Sequence, residues 1–155
     1  MRTLIMVVFL SLGIVGQAYA NEAVFEASAE MSMDEAYGKV YKALEEQRLW
    51  VVFEANIGKN LAGFADRWGE DYNRQGLESI RSMVFCNGWY ANQVSNKDPS
   101  MLALCPQRIT LIHKGGKTTV LFVRPSLVAA GSPAQAVLKE LEDEVTGAIS
   151  KALKQ

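Results

Sequence analysis

Residues 83–112 read MVFCNGWYANQVSNKDPSMLALCPQRITLI, and the pattern of this stretch decides the fold. Met83-Val84-Phe85 is an apolar run, Cys86-Asn87-Gly88 breaks it, and a polar, turn-rich segment follows as far as Cys105-Pro106. An apolar run then begins again. β-branched and aromatic runs bounded by Gly, Pro and Asn favour extended backbone, so the stretch predicts a strand, an excursion with room for a short helix, and a second strand. The two cysteines bracket the excursion at its base.

Working outward toward the C-terminus, Gln107 to Lys114, Gly115-Gly116 and Lys117 to Arg124 predict a β-hairpin with a two-residue turn. That turn sets His113 opposite Thr118, Leu111 opposite Val120 and Ile109 opposite Phe122, so one face is apolar except near the turn. A histidine at that end is expected to be half-buried with its ring hydrogen-bonded. The other face carries Ile112, Leu121 and Val123 beside Arg108, Thr110, Thr119 and two lysines. It is too apolar for open water and calls for a cover, either another layer of the same chain or a second copy in a homodimer. Beyond the hairpin, Ser132, Pro133 and Gln135 predict a capped helix start, and Val137, Leu138, Leu141, Val145, Ile149 and Ala152 form its buried stripe.

Toward the N-terminus, Glu78 to Phe85 completes the strand that delivers the chain to Cys86. Before it, Ile57, Leu61, Phe64, Ala65, Trp68 and Tyr72 step at helical spacing, but Gly58, Gly63, Gly69 and Gly76 predict a short or irregular helix. Asp66, Arg67, Glu70, Asp71 and Arg74 read as its solvated, salt-bridged side. Leu49 to Phe53 is a continuous apolar run, expected to be a strand in the middle of the sheet. Ser32 with Glu35 makes a capping box, and Met33, Ala36, Tyr37, Val40, Tyr41 and Leu44 give the following helix, Met33 to Arg48, one apolar face that packs on the core. Ala23 to Ala29 is short and loosely alternating, as a strand is. The whole predicts an α+β domain, a small, largely antiparallel sheet with amphipathic helices packed on it, in the order β-α-β-α-β-short α-β-β-α.

At the start of the chain, Met1-Arg2, the apolar run Leu4 to Val15 and the small-x-small triplet Ala18-Tyr19-Ala20 have the layout of a secretory signal peptide, residues 1–20. The apolar run is shorter than the roughly 20 residues a membrane span requires. The expectation is a periplasmic or secreted protein without a membrane anchor after cleavage, residues 21–155 forming one domain. The chain has 16 basic and 17 acidic side chains, and loss of Arg2 with the signal leaves 15 and 17, a net charge of −2. No basic run is present, which argues against nucleic acid as a partner.

Two cysteines in an exported chain are most simply one disulfide, Cys86 to Cys105. They stand 19 positions apart, far from the C-x-x-C spacing of thioredoxin-like redox centres. A copper-type metal or redox site on Cys86 and Cys105, with Met83, Met101 and His113 as further donors, is the alternative; no Cys or His pair stands at ligand spacing. No catalytic, cofactor or metal motif is present, so no catalytic residue, metal ligand or cofactor is assigned. The class expected is a non-catalytic binding or interaction protein, with an unknown small ligand or protein partner. The candidate surface is Trp89, Tyr90, Asn92 and Asn96 in the excursion, together with His113.

The ordered run of strand, amphipathic helix, apolar strand Trp50 to Glu54, the turn Cys86-Asn87, Asp98-Pro99, the step Leu104-Cys105-Pro106 into a hairpin, and the closing helix from Pro133 resembles the family catalogued as domain of unknown function 302. The resemblance covers nearly all of Val24 to Leu153. Where such domains tend to show Gly-Asn-Pro this chain has Cys86-Asn87-Gly88, and a second cysteine precedes the hairpin proline. Those departures look like one added disulfide in an exported branch of the family. The resemblance implies a compact α+β fold, possible dimerisation and no particular substrate.

Overall fold

The computed structural model describes residues 22–154. The signal peptide expected at residues 1–20 lies outside the described residues. Gly115 and Gly116 take φ of +58° and +80°, the left-handed pair that a tight hairpin turn needs and that glycine supplies without strain. They join β4 (Gln107–Lys114) to β5 (Lys117–Val123) in the register expected, with His113 facing Thr118 and Ile109 facing Phe122. β3 (Ser79–Cys86) pairs with β4, β2 (Trp50–Asn56) pairs with β3, and β1 (Val24–Ala29) pairs with β5. The result is a five-stranded sheet of order β1-β5-β4-β3-β2 with every neighbour antiparallel.

β1 and β2 are the two edges, so α1 (Met33–Glu46) must carry the chain across the whole sheet between them. Ser32 caps it as the sequence predicts, its Oγ accepting from the Glu35 amide at 3.2 Å. Ala36, Val40 and Leu44 of α1 are fully buried, as are Val145 and Ile149 of α6 (Gln135–Ala152), and both helices lie on one face of the sheet. That face consists of alternate strand residues, Met83 and Phe85, Ile109 and Leu111, Val120 and Phe122, each no more than 1% exposed. Phe85 and Phe122, on strands two apart, bring their rings to 6.4 Å across β4. Burying each such side chain stabilises the fold by about 1.5–3 kcal/mol.

The excursion between β3 and β4 is helical: α4 (Gly88–Lys97) is followed by a 3-10 segment, Pro99–Leu104. Asn87 starts α4, its Oδ1 accepting from the amides of Trp89 and Tyr90 at 2.9 and 3.3 Å while its own amide group donates to the Arg48 carbonyl. The glycine-diluted segment breaks as expected into α2 (Ile57–Ala62), α3 (Ala65–Trp68) and a 3-10 turn, Gly69–Asp71. Gly58 lets α2 lie directly on β3, for a Cβ there would stand 3.1 Å from the Ile80 backbone nitrogen. A short α5 (Pro125–Val128) follows β5.

Two expectations are corrected. Leu49 to Phe53 is not a central strand: only Leu49 is fully buried, β2 is an edge, and Trp50, Val52 and Phe53 are 52%, 62% and 61% exposed. A bulge between Val51 and Phe53 shifts the register against β3, and among the described residues no helix buries Trp50, Val52 or Phe53, so the apolar run faces solvent. The closing helix begins at Gln135, two residues beyond Pro133. Ser132 does not cap it in the expected way; its hydroxyl accepts from the Ala134 amide and donates to Asp98 Oδ2 at 2.6 Å, tying the excursion to the last helix. Among the described residues no helix is long and apolar enough to cross a membrane.

The two classes of apolar strand residue differ in what their removal costs. Ile109→Ala, at a site with no exposure, is expected to lose about 2–5 kcal/mol in urea unfolding. Phe53→Ala, measured on the monomer at concentrations too low for association, should lose less than about 1 kcal/mol. Equal losses would mean that β2 is covered in solution.

Candidate functional site

Antiparallel pairing of β3 with β4 brings the end of one strand beside the start of the other, and with them the two cysteines. Cys86 Sγ and Cys105 Sγ are 3.6 Å apart. A disulfide needs about 2.05 Å, so the geometry is that of two thiols in contact, near but not at bonding distance. They open onto a crevice lined by Leu49, Phe85, Tyr90, Met101 and Leu104. Its free volume is about 20 Å³, room for about one water molecule. Burial in this apolar crevice pushes the Cys105 thiol up to about 11, helped by the hydrogen bond with Cys86 and the charge that Cys86 would carry. Among the described residues no three His, Cys, Asp or Glu side chains converge as metal ligands.

Trp89, Asn92 and Asn96 stand at i, i+3 and i+7 on α4 and share its exposed side, with Trp89 58% exposed. Tyr90 faces the other way and is buried, its ring edge-on to Trp89 at 4.9 Å. Burial, then hydrogen bonding to Glu144, raises the pKa of its hydroxyl well above the ordinary tyrosine value. Three of the four excursion candidates therefore form one surface and the fourth anchors it.

His113 does not join that surface. Gln107 pairs with Phe85 beside the cysteines, whereas His113 pairs with Ser79 at the opposite end of β3, roughly 20 Å away at 3.3–3.4 Å per residue. Thr118 Oγ1 donates its one proton to the Met31 carbonyl and so accepts from His113 Nδ1, both at 2.8 Å. That arrangement leaves Nε2 facing Glu78 Oε2 at 3.5 Å. The ring is mostly buried and hydrogen-bonded, as the sequence predicts for that end of the hairpin.

Several polar and aromatic groups had no signal in the sequence. Glu142 sits within the apolar stripe of α6 yet is only 4% exposed, accepting from the Ser126 amide at 3.2 Å and its hydroxyl at 2.5 Å. Tyr37, on the buried face of α1, donates to Glu54 at 2.6 Å while the Arg81 guanidinium lies 3.7 Å from its ring centre. Burial, then the bond to Glu54, raises the Tyr37 pKa well above the ordinary tyrosine value. Phe64 and Trp68 stack at 5.1 Å on the far side of β3. Only the i, i+4 spacing of that last pair was open to inspection beforehand.

An antiparallel sheet with two long helices on one face and all connections between neighbours except α1 defines a two-layer α+β domain. The chain belongs to the family described as Domain of unknown function DUF302, which matches residues 25–155. It is similar to a solved structure, the uncharacterized conserved protein DUF302 from Bacillus stearothermophilus, with a TM-score of 0.71 and 13% identity over 84% of this chain and 98% of that one. At that identity the likeness speaks for the fold alone. No curated protein matches the chain.

The raised pKa of Cys105 has a direct consequence for reactivity. A thiol near 11 is only about one part in a thousand thiolate at pH 8. In the reduced protein, iodoacetamide should modify Cys105 slowly at pH 8 and about tenfold faster per unit of pH up to about 11. A rate that is already maximal at pH 8 would contradict the burial seen here.

Proposed function

We propose that the mature chain is an exported, non-catalytic interaction protein that acts as a homodimer through the outer face of its sheet, with Cys86 and Cys105 joined as a stabilising disulfide. The observation that carries this reading is the exposed apolar wall on the edge strand, Trp50, Val52 and Phe53. Trp and Phe each bring about 150–250 Å² to a contact and are enriched in interface cores. The wall continues over the sheet through Val84 opposite Phe53, and Val123 opposite Val24. Within these rows stand one acid, Glu26 beside Leu121, and one base, Arg108 beside Val84, a pair that a two-fold axis can set against each other. The exposed side of α4, Trp89, Asn92 and Asn96, is free to meet a small ligand or a further partner when the dimer forms.

Sedimentation equilibrium tests the dimer. Leu121→Lys and Phe53→Lys should each dissociate it, while Trp89→Lys should leave it intact; a wild type that is monomeric at high micromolar concentration overturns the reading.

Export into an oxidising compartment supports the disulfide, because the two sulfurs already touch and a modest rotation of each side chain would bring them to bonding distance. Closing this loop should contribute about 3 kcal/mol. The urea midpoint of the Cys86→Ala, Cys105→Ala double variant is expected to fall accordingly, and equal midpoints would show that no stabilising bridge exists. A second reading, a soft-metal or redox site on the same thiols, is favoured by Met101, whose side chain lines the same crevice. Thiol titration under denaturing conditions, with and without reductant, separates the two.

A further inference from the structure

On the side of β3 away from the cysteines, the segment between β2 and β3 folds over to form a groove of about 500 Å³. That is within the usual range for a small-molecule site. Trp68 and Tyr72 line it together with Asn56, Lys59, Asp71 and Glu78. We propose that this groove binds a short neutral oligosaccharide, stacked on Trp68 and held by hydrogen bonds at its rim.

The aromatic platform is built for the task. Phe64 stacks on Trp68 at 5.1 Å and 18° but does not itself line the groove, so it supports the indole while Trp68 stays 39% exposed. A ring of this kind suits a ligand with an apolar face of C–H groups. The backbone fixes the platform's position: Gly69 and Asn73 take φ of +52° and +46°, turning the chain sharply on either side of Tyr72. Asn73 then clamps the loop by bonding both the amide and the carbonyl of Leu77 at 2.9 Å.

With Arg74 on Asp71, the charges at the rim sum to zero, which favours a neutral ligand. Asp71 is paired with Arg74, and Glu78 accepts from the Gly115 amide at 2.9 Å and faces His113. Asp71 is neutralised by Arg74 and the Glu78 carboxylate is offset by the Lys59 ammonium of the same groove, while the remaining lone pairs of both acids can accept from ligand hydroxyls. Where α2 begins, the Asn56 side chain spends its oxygen on the Lys59 amide at 2.9 Å. Its amide nitrogen, like the Lys59 ammonium, has no partner among the described residues. The groove therefore offers donors from Asn56 and Lys59, acceptors from Asp71 and Glu78, and the indole of Trp68 in one lining. Hydroxyls, which both donate and accept, match that arrangement, and a pyranose adds the apolar face. This site shares no residue with the outer-face wall or with α4, so it stands or falls apart from the dimer.

Saturation-transfer NMR with cellobiose, maltose and N,N′-diacetylchitobiose on the full mature chain tests the proposal, with titration of any disaccharide that responds. At least one should bind. Trp68→Ala should weaken it by about tenfold or more, equivalent to ~1.4 kcal/mol, and Lys59→Ala by a few-fold without touching the platform. Trp89→Ala, on α4, should bind as the wild type does. Failure of all three disaccharides overturns the proposal. So does binding that survives Trp68→Ala in full, or tighter binding of choline than of any sugar, which would make the groove a cation site.

Discussion

Two helices can dry only one face of a five-stranded sheet, and most of what is distinctive in this molecule follows from that constraint. Strands lie about 4.8 Å apart, so five span roughly 19 Å between the outermost axes. Helices pack 8–10 Å apart, so α1 and α6 side by side cover that width once. Every fully buried apolar strand residue belongs to the covered face. Among the described residues the outer face receives no third layer beyond the corner where α2 meets Ile80 through Gly58. Its apolar residues are a consequence of where the helices run out.

The same constraint divides the ends of the molecule. At one end the excursion folds as α4 and a 3-10 segment and seals the edge of the core around the thiols. Asp98 then accepts from Ser100 and Ser132, so this cap is pinned to the loop before α6. Those hydrogen bonds hold the pKa of the Asp98 carboxyl below its ordinary value. At the other end the segment between β2 and β3 has no long helix and folds as short turns around a groove. One end is closed and apolar; the other is open and mixed in polarity.

The parts of this architecture that could be read from sequence are those set by local periodicity. The hairpin register follows from the two-residue glycine turn, and the faces of α1 and α6 follow from helical spacing. Glycine dilution correctly signals the broken segment after Ile57. The place of Leu49 to Phe53 could not be read, because an apolar run has the same composition whether its neighbours are strands on both sides or water on one. The candidate surface was legible in part: Trp89, Asn92 and Asn96 share a face because α4 is helical, whereas His113 belongs elsewhere because β3 and β4 are extended. Nearness in the chain, or kinship of residue type, carries no distance until the strands are paired. Glu142 shows the converse, a carboxylate in an apolar stripe whose partner, Ser126, is supplied by a turn that local patterns do not announce.

The crossing of α1 from one edge of the sheet to the other also sets an order of events. β2, β3, β4 and β5 are consecutive in the chain and pair with their neighbours, so each needs only a modest loop to close. β1 must wait for β5, since Val24 meets Val123 and the pairing encloses nearly the entire domain. Contacts of such long sequence separation form late and slowly. The meander can therefore assemble while its N-terminal strand is still absent, with Val120 and Phe122 on β5 holding the position that β1 comes last to complete.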